Sequence, residues 1–524
     1  MIKKQNPFTS VNFLVLFVIL ASTSFSKSID DSDPVTLRNK VRQYRKQNEV
    51  KILQDFAALL AIPNIASDTE NIRRNAAHIK ALLQKRGITT KLLEVEGSPP
   101  VVYGEINSPG AKKTIVFYVH YDGQPVDKTQ WTGAPWKPVI RDKKVEEGGK
   151  EIELSTLQSP LNPEWLIYGR SAGDDKAPVI AIIHALDALK KLNITPSINI
   201  KFFFEGEEEA GSPHLSQILS KYKELLASDA WILCDGPVHQ TRRKLLAFGA
   251  RGITGVKLTT YGPLLPLHSG HYGNWAPNPI VLLTNLIASM RNTDGKILIK
   301  NFYDDVAQIT PTEKKAIDEI PNIDQQLKEE FGLAWTEGSG KRLEELIMLP
   351  ALNLRSFHAG GPIAKNAIQD QANAVIGFRL VPNQTLKMVR ERVEDHIQKQ
   401  GFKIVYEDPT PEMRRKHPKI IQANWRGGYP PSRTSMDLPI SRSLIRVMED
   451  LEGESIVKLP TFGGSIPIHT FYQILERPIV VLPIANHDDN QHAPNENLRL
   501  QNLWDGIEIF SSVFARLGEV WVED

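Results

Sequence analysis

The stretch Ile198-Asn-Ile-Lys-Phe-Phe-Phe-Glu205-Gly-Glu-Glu-Glu209-Ala-Gly211-Ser212 passes from a mostly apolar run directly into a cluster of carboxylates. A short apolar run rich in aromatic and β-branched residues, closed by turn-forming residues, predicts a buried strand over residues 198–204. A strand buried on both faces belongs to a sheet covered by helices on each side. Carboxylates crowded at its carboxyl end lose hydration and repel one another unless cations neutralise them. An acidic run is more often a solvated face, so the reading depends on what else the chain sends to the same edge.

Three more apolar runs end in the same way. Residues 114–119 lead into His120-Tyr-Asp122, residues 230–234 into Asp235-Gly-Pro237, and residues 479–483, through a loop, to His492. A fifth segment, Gly169-Arg-Ser-Ala-Gly-Asp174-Asp175-Lys176, follows the short apolar run 165–168. In open α/β sheets, ligands bind outside the carboxyl ends of the strands. One histidine after a strand is usually a hydrogen-bonded structural residue. Five segments delivering imidazole or carboxylate to one edge form the donor chemistry of Zn²⁺ or a similar borderline metal. Two ions would need a shared carboxylate, and Asp174 is the candidate.

Working outward, residues 38–62, 71–87 and 177–192 have helical apolar spacing, and residues 91–93 and 101–106 read as further strands. Strands alternating with helices argue for an α/β fold with a largely parallel sheet. The middle of the chain reads differently, with strands at 252–260 and 374–381 and a helix at 384–401. Residues 409–433, rich in Pro, Gly and Arg, read as a connector, and a helix resumes at 435–451. A smaller α+β domain inserted into the first accounts for the break. The expected division is a signal peptide over 1–28, a main domain over 29–250 and 431–524, and the insert over 251–430.

Composition narrows the function. The 524 residues suffice for two or three cores. A net charge of +2 gives no reason to expect nucleic acid or an anionic membrane surface as partner. Lys3 and Lys4, the apolar run 11–21 and the small residues of 22–28 follow the order of a secretory signal, so the mature protein is expected to be exported, periplasmic or extracellular. An uncleaved N-terminal anchor is the alternative. The lone Cys234 cannot form an internal disulfide, and its apolar setting predicts a buried, inert thiol.

Together these motifs, with His492-Ala-Pro-Asn495-Glu496, resemble the co-catalytic zinc peptidase family. That family includes carnosinase-like dipeptidases, glutamate carboxypeptidases, aminoacylases and succinyl-diaminopimelate desuccinylase. The motifs occur in family order over nearly the whole mature chain, and their form is nearest the dipeptidase branch. The resemblance implies a three-layer catalytic domain with an inserted lid and dimerisation domain. It implies two divalent ions, Zn²⁺ first with Mn²⁺ or Co²⁺ as alternatives, held by His120, Asp174, Glu209, Asp235 and His492, with Asp174 bridging. It implies that Asp122 orients His120 or its neighbour, that Glu208 is the general base, and that the Asp174–Asp175 peptide is cis. Relatives usually carry Gly at the positions of Ser171 and Ala177, which puts the loop around Asp174 in question. The extra Glu207 blurs the acidic register, and alignment on Gly211-Ser212 selects Glu208 and Glu209. His487 competes with His492, but only His492 stands at the family spacing from Asn495-Glu496.

Three further patches resemble the family's substrate contacts. Leu267-His268-Ser-Gly-His-Tyr-Gly273 is similar to the dipeptidase form, in which a histidine like His268 reaches the oxyanion across a homodimer. Ala374-Val-Ile-Gly-Phe-Arg379 carries an arginine suited to a substrate carboxylate. Gly463-Gly464-Ser465-Ile-Pro467 resembles a loop whose backbone donors approach that carboxylate closely. The implied activity is cleavage of the amide bond of a dipeptide or small peptide bearing a free C-terminal carboxylate. An N-acyl-amino-acid deacylase is the alternative on the same scaffold. A catalytically dead binding module would be expected to lack Glu208 or a ligand, and none is missing.

Overall fold

The strand Thr114–His120 lies in the middle of an eight-stranded sheet. Successive side chains of a strand point to opposite faces, so it feeds two cores at once. Ile115, Phe117 and Val119 enter one, and Val116 and Tyr118 the other. This computed structural model describes residues 33–360, 366–464 and 468–521, with Met1 and Glu523. The signal segment expected over 1–28 lies outside the described residues apart from Met1. No described helix is long and apolar enough to cross a membrane.

Four neighbouring strands, Asn199–Glu205, Thr114–His120, Ala230–Leu233 and Ile479–Val481, run parallel. Their carboxyl ends therefore meet at one edge, and His120 pairs with Glu205 in register. The flanks depart from the expected largely parallel sheet. Thr89–Leu93 and Val101–Ile106 join antiparallel on one side, and Leu245–Ala247 is antiparallel to Ile479–Val481 on the other. The sheet is mixed, with its parallel block in the centre, where both faces are covered.

The helices Pro34–Leu60, Lys176–Lys191, Pro439–Glu452 and Leu500–Val520 cover one face, where Phe117 meets the edge of Phe514 at 5.1 Å between ring centres. On the other face, Leu215–Lys221 and Ile468–Leu475 pack onto Tyr118, Phe203 and Trp231. The result is the three-layer α/β arrangement expected. Cys234 is buried, as its apolar setting predicted.

A separate five-stranded sheet has the order Ala351–His358, Gln371–Leu380, Gly252–Tyr261, Ile420–Tyr429, Lys403–Val405. Pro279–Met290 and Leu386–Lys399 supply its buried partners, including Leu283, Leu286, Val389 and Val393. The expected connector over 409–433 is corrected here. It contains the short helix Pro411–Lys416 and the ten-residue strand Ile420–Tyr429. Gly427-Gly428 imitates a turn in sequence but sits where the pairing with Gly252–Tyr261 shifts register. A Cβ on Gly428 would fall 1.8 Å from the Ile253 carbonyl oxygen, so the glycine permits a close strand approach rather than a turn.

A four-stranded sheet leaves little sequence signal beyond the apolar run 165–168, because its strands are two or three residues long. Within it Leu166–Tyr168 pairs with Asn497–Arg499. That pairing sets the loop that follows Tyr168 beside the loop that ends at Asn497.

The core makes a direct prediction. Trp231 is fully buried, with its ring 5.5 Å from Phe203 and 5.2 Å from Phe471. Trp231→Ala should destabilise the protein by about 3–5 kcal/mol, read as a lower denaturant midpoint. Trp231→Phe should cost much less, and equal midpoints for the two variants would contradict this packing.

Candidate metal centre and active site

Each predicted donor arrives on a strand end or a turn beside one. His120 closes the strand Thr114–His120, and Asp235 lies two residues beyond Ala230–Leu233. Glu208 and Glu209 open a single helical turn just after Asn199–Glu205. Asp174 precedes the helix Lys176–Lys191. His492 sits in the loop before Asn497–Arg499.

The structure brings all five expected ligands together as two overlapping groups, His120–Asp174–Asp235 and Asp174–Glu209–His492, with the donor atoms of each within 4.8 Å of one another. Asp174 belongs to both. Its Oδ1 is 2.8 Å from His120 Nε2, and its Oδ2 is 3.0 Å from His492 Nε2. A carboxylate that turns one oxygen to each group is the shape a bridging ligand needs.

Neighbouring groups hold the donors in position. His120 Nδ1 lies 3.3 Å from the Asp122 carbonyl oxygen, which can only accept, so Nδ1 donates there, and Nε2 is turned to the Asp174 carboxylate, where a cation would displace its proton. The Asp122 carboxylate accepts the Glu208 and Glu209 N–H groups at 3.1 and 3.0 Å. Asp122 thus fixes the acidic turn as well as His120. Glu207 faces elsewhere, 2.9 Å from His214, in keeping with the register chosen on Gly211-Ser212. His487 belongs to neither group.

The chemistry of the donor set fits a pair of cations. Burial first, and then the charge of Asp174, push the Asp235 carboxyl up to about 7. Contact with Asp174 and then Glu209 pushes the His492 imidazole up to about 10. A negative field that holds a proton also attracts a metal cation, and metal binding displaces the proton. Glu208 stands apart from both donor groups. It lines the same cavity, and burial holds its carboxyl well above the usual range.

The sequence left the loop carrying Asp174 in question, and its geometry is now explicit. Ser171 adopts φ of 66°, the left-handed region that favours glycine. Its hydroxyl accepts from Asn64 Nδ2 at 2.8 Å and donates to the Asp122 carbonyl at 3.2 Å. Ala177 is fully buried in the first turn of the following helix. The Asp174–Asp175 peptide is cis.

Several working residues were missed in the sequence. Glu496, read there only as part of a motif, accepts the N–H groups of Ser171, Gly173 and Asp174 at 2.9, 3.0 and 3.0 Å, and pairs with Arg170 at 2.6 Å. Gln491 donates to Asp174 Oδ2 at 2.9 Å, and Gln124 donates to Glu209 Oε2 at 2.8 Å. Arg251 Nε donates to the Gly463 carbonyl at 2.9 Å. Burial, and then the charge of Arg379, bring the Arg251 guanidinium down to about 10. Apart from the motif around Glu496, none of these had a signal beyond its residue type, because the contacts are long-range.

The expected substrate contacts are placed less uniformly. A cavity of about 500 Å³ opens over Asp174, Glu208, Asp235 and His492, and Gly463 and Gly464 line it. Ser465 lies outside the described residues. Arg379 stands on Gln371–Leu380 opposite Ile253. Its guanidinium is held below the usual range by burial. Tyr429, raised chiefly by burial, feels the charges of both Glu208 and Arg379. His268 is not brought to the cluster within the chain. It is exposed and accepts the Gly270 N–H at 3.1 Å.

Two three-donor groups sharing a carboxylate at the ends of parallel strands, with a further carboxylate over the same cavity, define a metallohydrolase. The chain belongs to peptidase family M20/M25/M40, whose sequence profile matches residues 116–516, and it is a metallopeptidase. It is 26% identical over 487 residues to the Cys-Gly metallodipeptidase dug1 of Schizosaccharomyces pombe, a match covering 91% of this chain and 95% of that protein. It is 26% identical over 534 residues to the human Beta-Ala-His dipeptidase, covering 97% of each. The M20 family metallo-carboxypeptidase Sso-CP2 of Sulfolobus solfataricus superposes with a TM-score of 0.70 at 27% identity, over 89% of this chain and 99% of that one.

Glu496 gives this site its test. Glu496→Ala leaves Arg170 and three backbone N–H groups without their acceptor. Breaking a buried pair in this way costs about 3–5 kcal/mol. Thermal melting should show the loss, and elemental analysis should show reduced metal retention. A Glu496→Ala protein with its full metal content would separate the loop from ligand placement.

Proposed function

We propose that the protein is an exported di-metal dipeptidase that cleaves the amide bond of dipeptides or other small peptides with a free C-terminal carboxylate. The observation carrying this reading is the pair of donor groups sharing Asp174, with Glu208 beside them over one cavity. The dipeptidase names of its relatives support the substrate class. The order of Lys3, Lys4, the apolar run 11–21 and the small residues after it supports export.

His120, Asp174 and Asp235 would hold one ion, and Asp174, Glu209 and His492 the other. Zn²⁺ suits this mixed imidazole and carboxylate set, and Mn²⁺ or Co²⁺ could take its place. When bound, the ions supply electrostatic activation of a water molecule and of the scissile carbonyl. Glu208 accepts the proton of the attacking water and passes it to the leaving amine. Arg379 and the backbone donors of the loop that begins at Gly463-Gly464 and continues through Ser465 hold the substrate carboxylate. That anchor sets the distance from the peptide's end to the bond that is cut.

Native protein should contain about two metal ions per chain for such a co-catalytic site. Glu208→Gln should keep both ions and lower turnover by about 10² to 10⁴-fold, the usual share of a general base. Loss of metal in step with activity would make Glu208 a ligand instead. Amine release from a panel of dipeptides and N-acyl amino acids separates the dipeptidase from a deacylase.

His268 acts, in this reading, on the active site of a second copy in a homodimer. Its exposure at a distance from its own chain's cluster is compatible with that role. Mixing Glu208→Gln with His268→Ala protein tests it, since one site of the heterodimer then carries both native residues. Activity should partly return after subunit exchange. Confirmed heterodimers without recovered activity would rule out the shared site.

A further inference from the structure

We propose that the cavity beside the metal donors is a side-chain pocket for the substrate's C-terminal residue, selecting large apolar side chains such as leucine or phenylalanine over glycine or charged residues. This rests on the placement of the substrate carboxylate at Gly463-Gly464 in the proposed function. The side chain of a residue begins one bond from the carbon that bears its carboxylate, so it must lie against whatever surrounds that loop.

What surrounds it is apolar. Leu459 and Phe462 approach from the segment leading to the glycines, and Val238 and Leu245 from beyond Asp235. Leu343 and Ile347, on the five-residue helix Leu343–Ile347, complete the apolar lining. The wall abuts the glycine loop directly, for a Cβ on Gly463 would lie 3.1 Å from Ile347 Cδ1. Leu343 is 40% exposed, an apolar side chain left open to solvent at the cavity. A volume of about 500 Å³ falls in the range of small-ligand sites.

The polar groups on the wall do not invite a charged side chain. Besides the metal donors and Glu208, the cavity is lined by two ionisable groups, His239 and Glu344. His239 Nδ1 accepts the Thr241 N–H at 3.2 Å, and burial followed by the charge of Arg243 lowers the imidazole to about 4. It is therefore uncharged near neutral pH, with its proton on Nε2. Glu344 Oε2 lies 3.2 Å from the Arg342 guanidinium without a hydrogen bond, and burial holds its carboxyl above the usual range. Burial disfavours charge on both groups, and Arg342 stands beside the carboxylate, which leaves the apolar surface to decide.

The experiment uses the full metal-loaded chain and measures kcat/KM on Gly-Leu, Leu-Gly, Gly-Gly, Gly-Lys and Gly-Asp, with N-acetyl-leucine and N-acetylglycine alongside. A single methylene in an apolar pocket is worth roughly 10–200-fold, so Gly-Leu should exceed Gly-Gly by at least about 10-fold. Leu343→Glu, at a partly exposed position, should shrink the Gly-Leu to Gly-Gly ratio by roughly 10-fold; a ratio is insensitive to any loss of folded protein. The proposal is overturned if Gly-Gly, Gly-Lys or Gly-Asp matches Gly-Leu, if Leu-Gly is preferred to Gly-Leu, or if Leu343→Glu leaves the ratio unchanged. Should no dipeptide be cleaved while N-acetyl-leucine outpaces N-acetylglycine, the dipeptidase reading fails and the pocket is upheld. No cleavage of any of these substrates overturns both.

Discussion

A buried carboxylate receiving backbone N–H groups is the constraint on which the centre depends. Glu496 gathers Ser171, Gly173 and Asp174 onto its two oxygens and is itself neutralised by Arg170. A charge with no solvent around it is tolerated only where hydrogen bonds and a counter-charge surround it, and here both come from one loop. That loop has no regular structure to hold it, so Glu496 takes the place of a sheet ladder. Through it, the strand pairing of Leu166–Tyr168 with Asn497–Arg499 becomes a fixed position for Asp174.

The same logic extends outward. Asp122 orients His120 from one side and ties down the N–H groups of Glu208 and Glu209 from the other. Gln124 and Gln491 each donate to an oxygen of a metal-donor carboxylate. The donors are therefore prearranged by hydrogen bonds, with ligand orientation set by their second partners. The parallel block supplies the coarse alignment, because strands running in one direction end at one edge.

Much of this was legible in the sequence because it is local. Apolar runs ending in His120, Glu205 or Asp235 announce both the strands and the edge they share, and the five candidate donors named from the sequence are brought together by the fold. What could not be read depends on tertiary contact. The bulged strand Ile420–Tyr429 looked like a connector because the glycine that allows close strand approach is the same residue that makes turns. Glu496 and Arg251 act across hundreds of positions of separation, and although Glu496 belongs to a motif, nothing in the neighbours of either marks the partner it holds. Ser171 shows the reverse case. Its departure from the glycine usual in relatives raised a question about the loop, and the answer is a serine held in left-handed backbone with its hydroxyl bonded on both sides.

The order of the donors along the chain has a consequence for when the centre can come into being. One group is complete at Asp235, but the other waits for His492. The anchor of Asp174, Glu496, comes later still. A chain emerging from the ribosome therefore cannot assemble the second group until His492 is released and Asn497–Arg499 folds back against Leu166–Tyr168. A product that stops before His492 lacks both a candidate donor and the loop's anchor, so latency during synthesis is written into the order of these residues along the chain.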